Sequence, residues 1–179
     1  MSTGLLLLRL VVGALFVGHG TQKLFGWFGG HGLDATGDAF DGMGFRPGRS
    51  MAVLAGSTEA FGGLLVVLGL ATPLAAAMLV GVMVTAGAAI HFPNGPWVTE
   101  GGYEYNLVLA VVAATLAFVG PGAASLDHAF GMERAGLWSG LFALVLGVGG
   151  GALAVATRAA ELRRDAAMED ARTPAASAA

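Results

Sequence analysis

Gly4-Leu5-Leu6-Leu7-Leu8-Arg9-Leu10-Val11-Val12-Gly13-Ala14-Leu15-Phe16-Val17-Gly18-His19-Gly20-Thr21-Gln22-Lys23 decides the fold of this chain. The run does not alternate apolar with polar residues as a half-buried strand does, and its length is that of a helix crossing a hydrocarbon core. Four more apolar stretches follow, so five segments are expected to be helical: Gly4 to Gly26, Met51 to Thr72, Leu74 to Phe92, Tyr103 to Gly120 and Gly136 to Thr157. Four spans with a peripheral fifth helix is the alternative. A spanning helix satisfies its backbone internally, which a lone strand in lipid cannot do, so the fold class is all-α membrane protein.

Composition points the same way. The 179 residues are 55% hydrophobic and 12% charged, with a mean hydropathy of +0.72, too apolar for an ordinary water-soluble domain. The 30 glycines suit helices that approach closely in a membrane, and Gly140, Gly147 and Gly151 share one face of the last segment as a packing seam. With no cysteine, thiol chemistry, thiolate-held iron–sulfur clusters and covalent haem attachment through Cys-x-x-Cys-His are excluded. A net charge of −3 without a basic cluster excludes nucleic acid as an expected partner.

The first segment ends in polar residues that need a reason to be there. His19, Gln22 and Lys23 stand at i, i+3 and i+4, which puts them on one helical stripe. Glu59 lies about eight residues into the second segment, at a depth similar to His19. A bare carboxylate there would cost several kcal/mol, about the range for a buried unpaired charge, so it is expected to be protonated or paired with Lys23 or His19. His91 ends the third segment and Glu104 opens the fourth, so an up-down bundle brings all of these to one side. The arrangement of histidine and acid has the look of a two-by-two repeat.

Other polar residues read more plainly. Arg9 is expected to snorkel to the near headgroups as an anchor. Asp34, Asp38 and Asp41 form a solvated face, weakened as a helix by the glycines around it, and no metal site is expected. Trp97, Tyr103 and Tyr105 read as an aromatic belt, with stacking on a flat ligand beside Glu104 the alternative. The basic residues favour an N-out, C-in orientation, with Lys23, Arg46, Arg49, Arg158, Arg163, Arg164 and Arg172 in the cytoplasm and Arg9 and Arg134 opposite.

Several motifs together resemble the DoxX family of small bacterial integral membrane proteins. They are Leu8-Arg9-Leu10 leading to His19-Gly20-Thr21-Gln22-Lys23-Leu24-Phe25-Gly26, then Glu59-Ala60-Phe61-Gly62-Gly63-Leu64-Leu65 and Gly69-Leu70-Ala71-Thr72. Met83, His91, Gly101-Gly102-Tyr103-Glu104-Tyr105, Gly120 and Ser125-Leu126-Asp127 continue the likeness. The resemblance implies a four-helix transmembrane bundle over residues 1–127 in the bacterial cytoplasmic membrane. Residues 128–157 then add a fifth, C-terminal transmembrane helix, and 158–179 a charged, partly disordered cytoplasmic tail.

The resemblance also implies a redox-linked subunit of a membrane-associated oxidoreductase system, interacting with quinone or quinol and tied to defence against oxidative stress. His19, Gln22, Lys23, Glu59, His91 and Glu104 are the residues expected to bind such a ligand. Quinone is the one cofactor expected; haem between His19 and His91 ranks well below it. The expected partners are the lipid bilayer, a soluble oxidoreductase and further copies of the chain. A non-catalytic scaffold for soluble redox enzymes is the alternative, and a small-solute permease ranks last because the polar groups gather at one end.

Overall fold

The computed structural model describes residues 2–172 and contains helices and turns, with no strand among the described residues. Helix α1 (Ser2–Phe25) is followed by a short α2 (Gly32–Gly42), α3 (Gly48–Leu68) and α4 (Thr72–Ala86), the last continuing through a π turn at Gly87–His91. Then come α5 (Glu104–Val119), a one-turn α6 (Leu126–Ala129) and α7 (Leu137–Arg172). Four of these segments, over 3–25, 48–68, 72–94 and 137–171, are long and apolar enough to cross a bilayer. This is a multi-pass membrane protein.

The C-terminal apolar segment, whose crossing the sequence leaves open, is a single helix of 36 residues. The short one is α5, whose 16 residues rise about 24 Å at 1.5 Å per residue, against a hydrocarbon core of about 30 Å. Turns at Phe92–Asn94 and Val98–Glu100 precede it. The frayed tail expected from Thr173 onward lies outside the described residues.

Glycines set how closely the helices approach. A Cβ on Gly13 would stand 2.6 Å from the carbonyl oxygen of Gly63, and one on Gly20 would stand 2.5 Å from that of Gly56. Thus α1 and α3 run backbone against backbone. On α7 the expected seam is present: Gly140 faces the Phe118 ring, Gly147 the Ala77 carbonyl and Gly151 the Gly81 carbonyl. That face seats α7 on α4 and α5. Val12, Phe16, Val66, Leu79, Val80, Leu109 and Leu116 fill the centre of the bundle.

Arg9 is not an anchor in the headgroups. It is 2% exposed and donates to four carbonyls: Nε to Val66 at 2.9 Å, Nη2 to Val67 at 2.8 Å, and Nη1 to Pro121 at 2.7 Å and Ala124 at 2.9 Å. At the last turn of α3 the Val66 carbonyl accepts from the backbone N–H of Gly69, and the five-donor guanidinium fork completes the bonding of Val66 and Val67 together with that of the α5–α6 loop. Burial with four acceptors outcompetes snorkelling.

Asp127 completes this end of the bundle. Its Oδ1 accepts from the Ala71 N–H at 2.8 Å, and its Oδ2 accepts from the Thr72 N–H at 2.9 Å and the Thr72 hydroxyl at 2.7 Å. The carboxylate caps the start of α4, where Ala71 is held at φ +48°, a left-handed conformation that costs about 1–2 kcal/mol outside glycine. Gly69, at φ +61°, has no room for a Cβ between Ser125 and the Arg9 guanidinium.

Candidate functional site

At the other end of the bundle, Lys23 Nζ donates to Glu59 Oε2 at 2.5 Å. The glycine seam makes this possible, because Gly20 and Gly56 bring α1 and α3 together one turn away from each partner. Lys23 lies in the last turn of α1, where a cation also complements the helix dipole. Glu59 is buried at 3% exposure, whereas the Lys23 side chain keeps 26%. Glu59→Leu is expected to cost about 2 kcal/mol, below the usual range for breaking a buried pair because Lys23 reaches water. Adding Lys23→Met should recover part of that loss, as denaturant unfolding in detergent would show; strict additivity would mean the pair does not interact.

Beside this pair lies a cavity of about 490 Å³, within the range of small-molecule sites. Its walls come from α3 (Met51, Leu54, Thr58, Glu59), α4 (Met78, Gly81, Thr85, Ala86) and α7 (Leu146, Gly150, Ala154), with Phe40, Phe45 and Lys23 at one end. It is apolar apart from Lys23, Glu59, His91 and the two threonines. The space exists because α7 presents Gly150 and Ala154 where larger side chains would fill it, and no atom lies within 4 Å of a Cβ built on Gly150.

His91 reaches the cavity through the π turn. Along α4 the lining residues follow helical spacing from Ala77 to Ala86, and a continued α-helix would carry His91 well round from that face. The wider i→i+5 turn at Gly87–His91 slows the rotation and leaves Ile90 and His91 lining the cavity. Its Nδ1 stands 2.8 Å from the Gly101 carbonyl oxygen. A carbonyl only accepts, so Nδ1 carries the proton, and in the neutral ring Nε2 is left as an acceptor.

The structure thus brings Lys23, Glu59 and His91 to one cavity. His19 is half-buried on α1, close enough to Glu59 to interact with it electrostatically, but does not line the cavity. Gln22 Nε2 instead donates to the Phe28 carbonyl at 3.2 Å. Glu104 Oε2 accepts from the Val98 N–H at 3.0 Å and so ties down the loop before α5. The two halves of the suspected repeat, His19 with Glu59 and His91 with Glu104, are used differently: Glu59 pairs across helices with Lys23 rather than with His19, while His91 and Glu104 brace one loop. Tyr103 stacks on Phe92 at 5.7 Å, and Trp97 is exposed.

Sequence reasoning missed the Arg9 and Asp127 caps and the contribution of α7 to the cavity. An arginine inside an apolar run was the available signal for the first; nothing local marks the second. Two of the three aspartates of α2 are engaged at the surface: Asp34 pairs with Arg49, and Asp41 Oδ1 accepts from the Gly48 N–H at 2.7 Å. No group of three or more metal-ligating side chains occurs among the described residues. Residues 4–92 match the family model described as DoxX, a stretch that holds Lys23, Glu59 and His91 but not α7. No curated protein and no solved structure matches the chain.

Proposed function

Residues 4–92 place the chain in the DoxX family, and from that premise we infer that this multi-pass membrane protein is the quinone- or quinol-interacting subunit of an oxidoreductase system in the bacterial cytoplasmic membrane. The observation that carries the reading is the juxtaposition of an apolar cavity with Lys23, Glu59 and His91 at its edge. A quinol has a flat apolar ring, a hydrocarbon tail and two hydroxyls. The cavity walls suit the ring and tail, and His91 Nε2 is an acceptor for a hydroxyl.

Lys23 Nζ is a donor suited to a ring oxygen, and its Glu59 partner can take up a proton when that contact changes. Oxidation of a quinol releases two protons and two electrons; His91 and Glu59 are acceptors for the protons. The electrons pass to a soluble redox partner, as expected of a chain without cysteine. In this reading residues 1–127 supply the polar edge and the added helix supplies a wall.

The test is the quinone content of protein excised from its membrane with native lipids. Wild type should carry about one quinone per chain above the bulk lipid level. Gly150→Leu should lower that at least tenfold, because the added side chain starts from the cavity wall and its Cβ has open space around it. Unchanged thermal unfolding of this variant would show that the fold survives. Quinone no richer than in bulk lipid would sink the proposal, and retention of soluble redox enzymes by the same preparation would then favour the scaffold reading, which the charged end of α7 supports.

A further inference from the structure

The cavity is closed differently on its two sides. Both α3 and α7 pack on α4, yet they form no packed interface with each other, so the groove between them opens sideways, with Leu54 and Leu146 exposed along its rims. Apolar rims at this depth face hydrocarbon. Toward the aqueous end the groove is roofed by Phe40 and Phe45, whose rings stand 5.7 Å apart and both line the cavity.

The part of α7 beyond the apolar run clamps that roof. Arg158 Nε donates to the Met43 carbonyl at 2.8 Å, and its guanidinium lies 5.7 Å from the centre of the Phe45 ring, a geometry that favours cation–π attraction. Leu162 covers Gly44, where a Cβ would come within 2.8 Å of it. Arg46 Nη1 donates to Asp165 Oδ1 at 2.7 Å. Four contacts of three kinds thus join the junction of α2 and α3 to one face of α7, and Arg158 touches the cavity wall itself.

We propose that this clasp between Met43–Arg46 and Arg158–Asp165 is the water-side gate of the cavity: while it is closed, ligands enter laterally from the bilayer, and its release opens the cavity, with the buried Glu59 on its wall, to the aqueous phase. Such a gate confines the cavity to ligands dissolved in the membrane and excludes water-borne solutes. The inference deepens the quinone reading but concerns access, which can be measured without any ligand.

The absence of cysteine gives a clean reporter. Thr58→Cys puts a single thiol on the cavity wall, to be labelled in lipid discs with either a charged, membrane-impermeant maleimide or a lipophilic one. With the clasp intact the charged reagent should react slowly. Asp165→Ala should speed it about two- to fivefold, the scale of a partly exposed ion pair, and Arg158→Ala with Asp165→Ala about tenfold. The lipophilic rate should stay within about twofold throughout. Raising the salt to about 1 M should mimic part of the Asp165→Ala effect, because the pair is partly exposed and open to screening.

The charge swap Arg46→Asp with Asp165→Arg should restore slow labelling, which a merely loosened fold would not do. Charged-reagent rates that ignore every clasp variant would overturn the gate, and so would a parallel rise in both rates. Loss of the quinone reading would leave these rates as expected here, so the two failures are distinguishable.

Discussion

Arg9→Leu is expected to cost about 4 kcal/mol of stability. Val67, Pro121 and Ala124 offer carbonyls for which Arg9 is the hydrogen-bond donor, and Val66 shares its own between Arg9 and the Gly69 N–H. Leaving a buried acceptor unsatisfied costs about 1–3 kcal/mol in proteins generally, and side-chain hydrogen bonds inside membranes average nearer 0.6 kcal/mol. Three orphaned carbonyls bonded to a full charge belong toward the upper part of that span. Against this, the variant no longer buries a charge, which keeps the sum below the simple total.

Arg9→Lys should recover only part, since an ammonium has three donors in place of the planar five-donor fork. The check is denaturant unfolding in detergent, with hydrogen exchange over Gly120–Ala129, where protection should fall first. A loss under about 1 kcal/mol with that loop still protected would return Arg9 to the role of a headgroup anchor.

Arg9 also shows what a sequence withholds. Its place five residues into an apolar run is visible, but its partners are carbonyls 57 to 115 residues away, and no side-chain pattern announces a free carbonyl. Lys23 and Glu59 were legible because both are charged, each sits where a charge in lipid needs a partner, and their depths match. The α7 seam was legible because glycine spacing on one helix is local information.

The cavity was not, because it is defined by what Gly150 and Ala154 leave out, and that depends on how α7 sits on α4. His91 was singled out for its position, yet only the π turn decides which way it faces. Gln22 and Glu104 share the stripe and the end of the bundle with the pair, but each has a nearby loop group within reach, and the shorter connection is the one formed. The extent of α5 was legible, since its 16 residues lie within the expected Tyr103 to Gly120, bounded by the Gly101-Gly102 turn and Gly120.

Gly20→Leu and Gly18→Leu should behave as opposites although they stand two residues apart on α1. A Cβ at position 20 would come within 2.5 Å of the Gly56 carbonyl oxygen and the Ala60 nitrogen, both backbone atoms that no rotamer change can move aside. At position 18 it would meet nothing within 4 Å. Gly20→Leu therefore has to push α1 and α3 apart, forfeiting dispersion along the seam from Gly13 to Gly20 and drawing Lys23 away from Glu59 one turn further on. Overpacking typically costs about 1–3 kcal/mol; with the pair weakened as well, about 4 kcal/mol is expected, together with loss of bound quinone. Gly18→Leu should be neutral or should stabilise by up to about 1 kcal/mol, the helix-propensity deficit of glycine. Unfolding of the two purified variants side by side tests this within one helix and one residue type, so general damage to α1 cannot mimic the contrast. Equal tolerance at both positions would mean that α1 and α3 do not meet along this line, and the ion pair, which depends on that approach, would lose its physical basis.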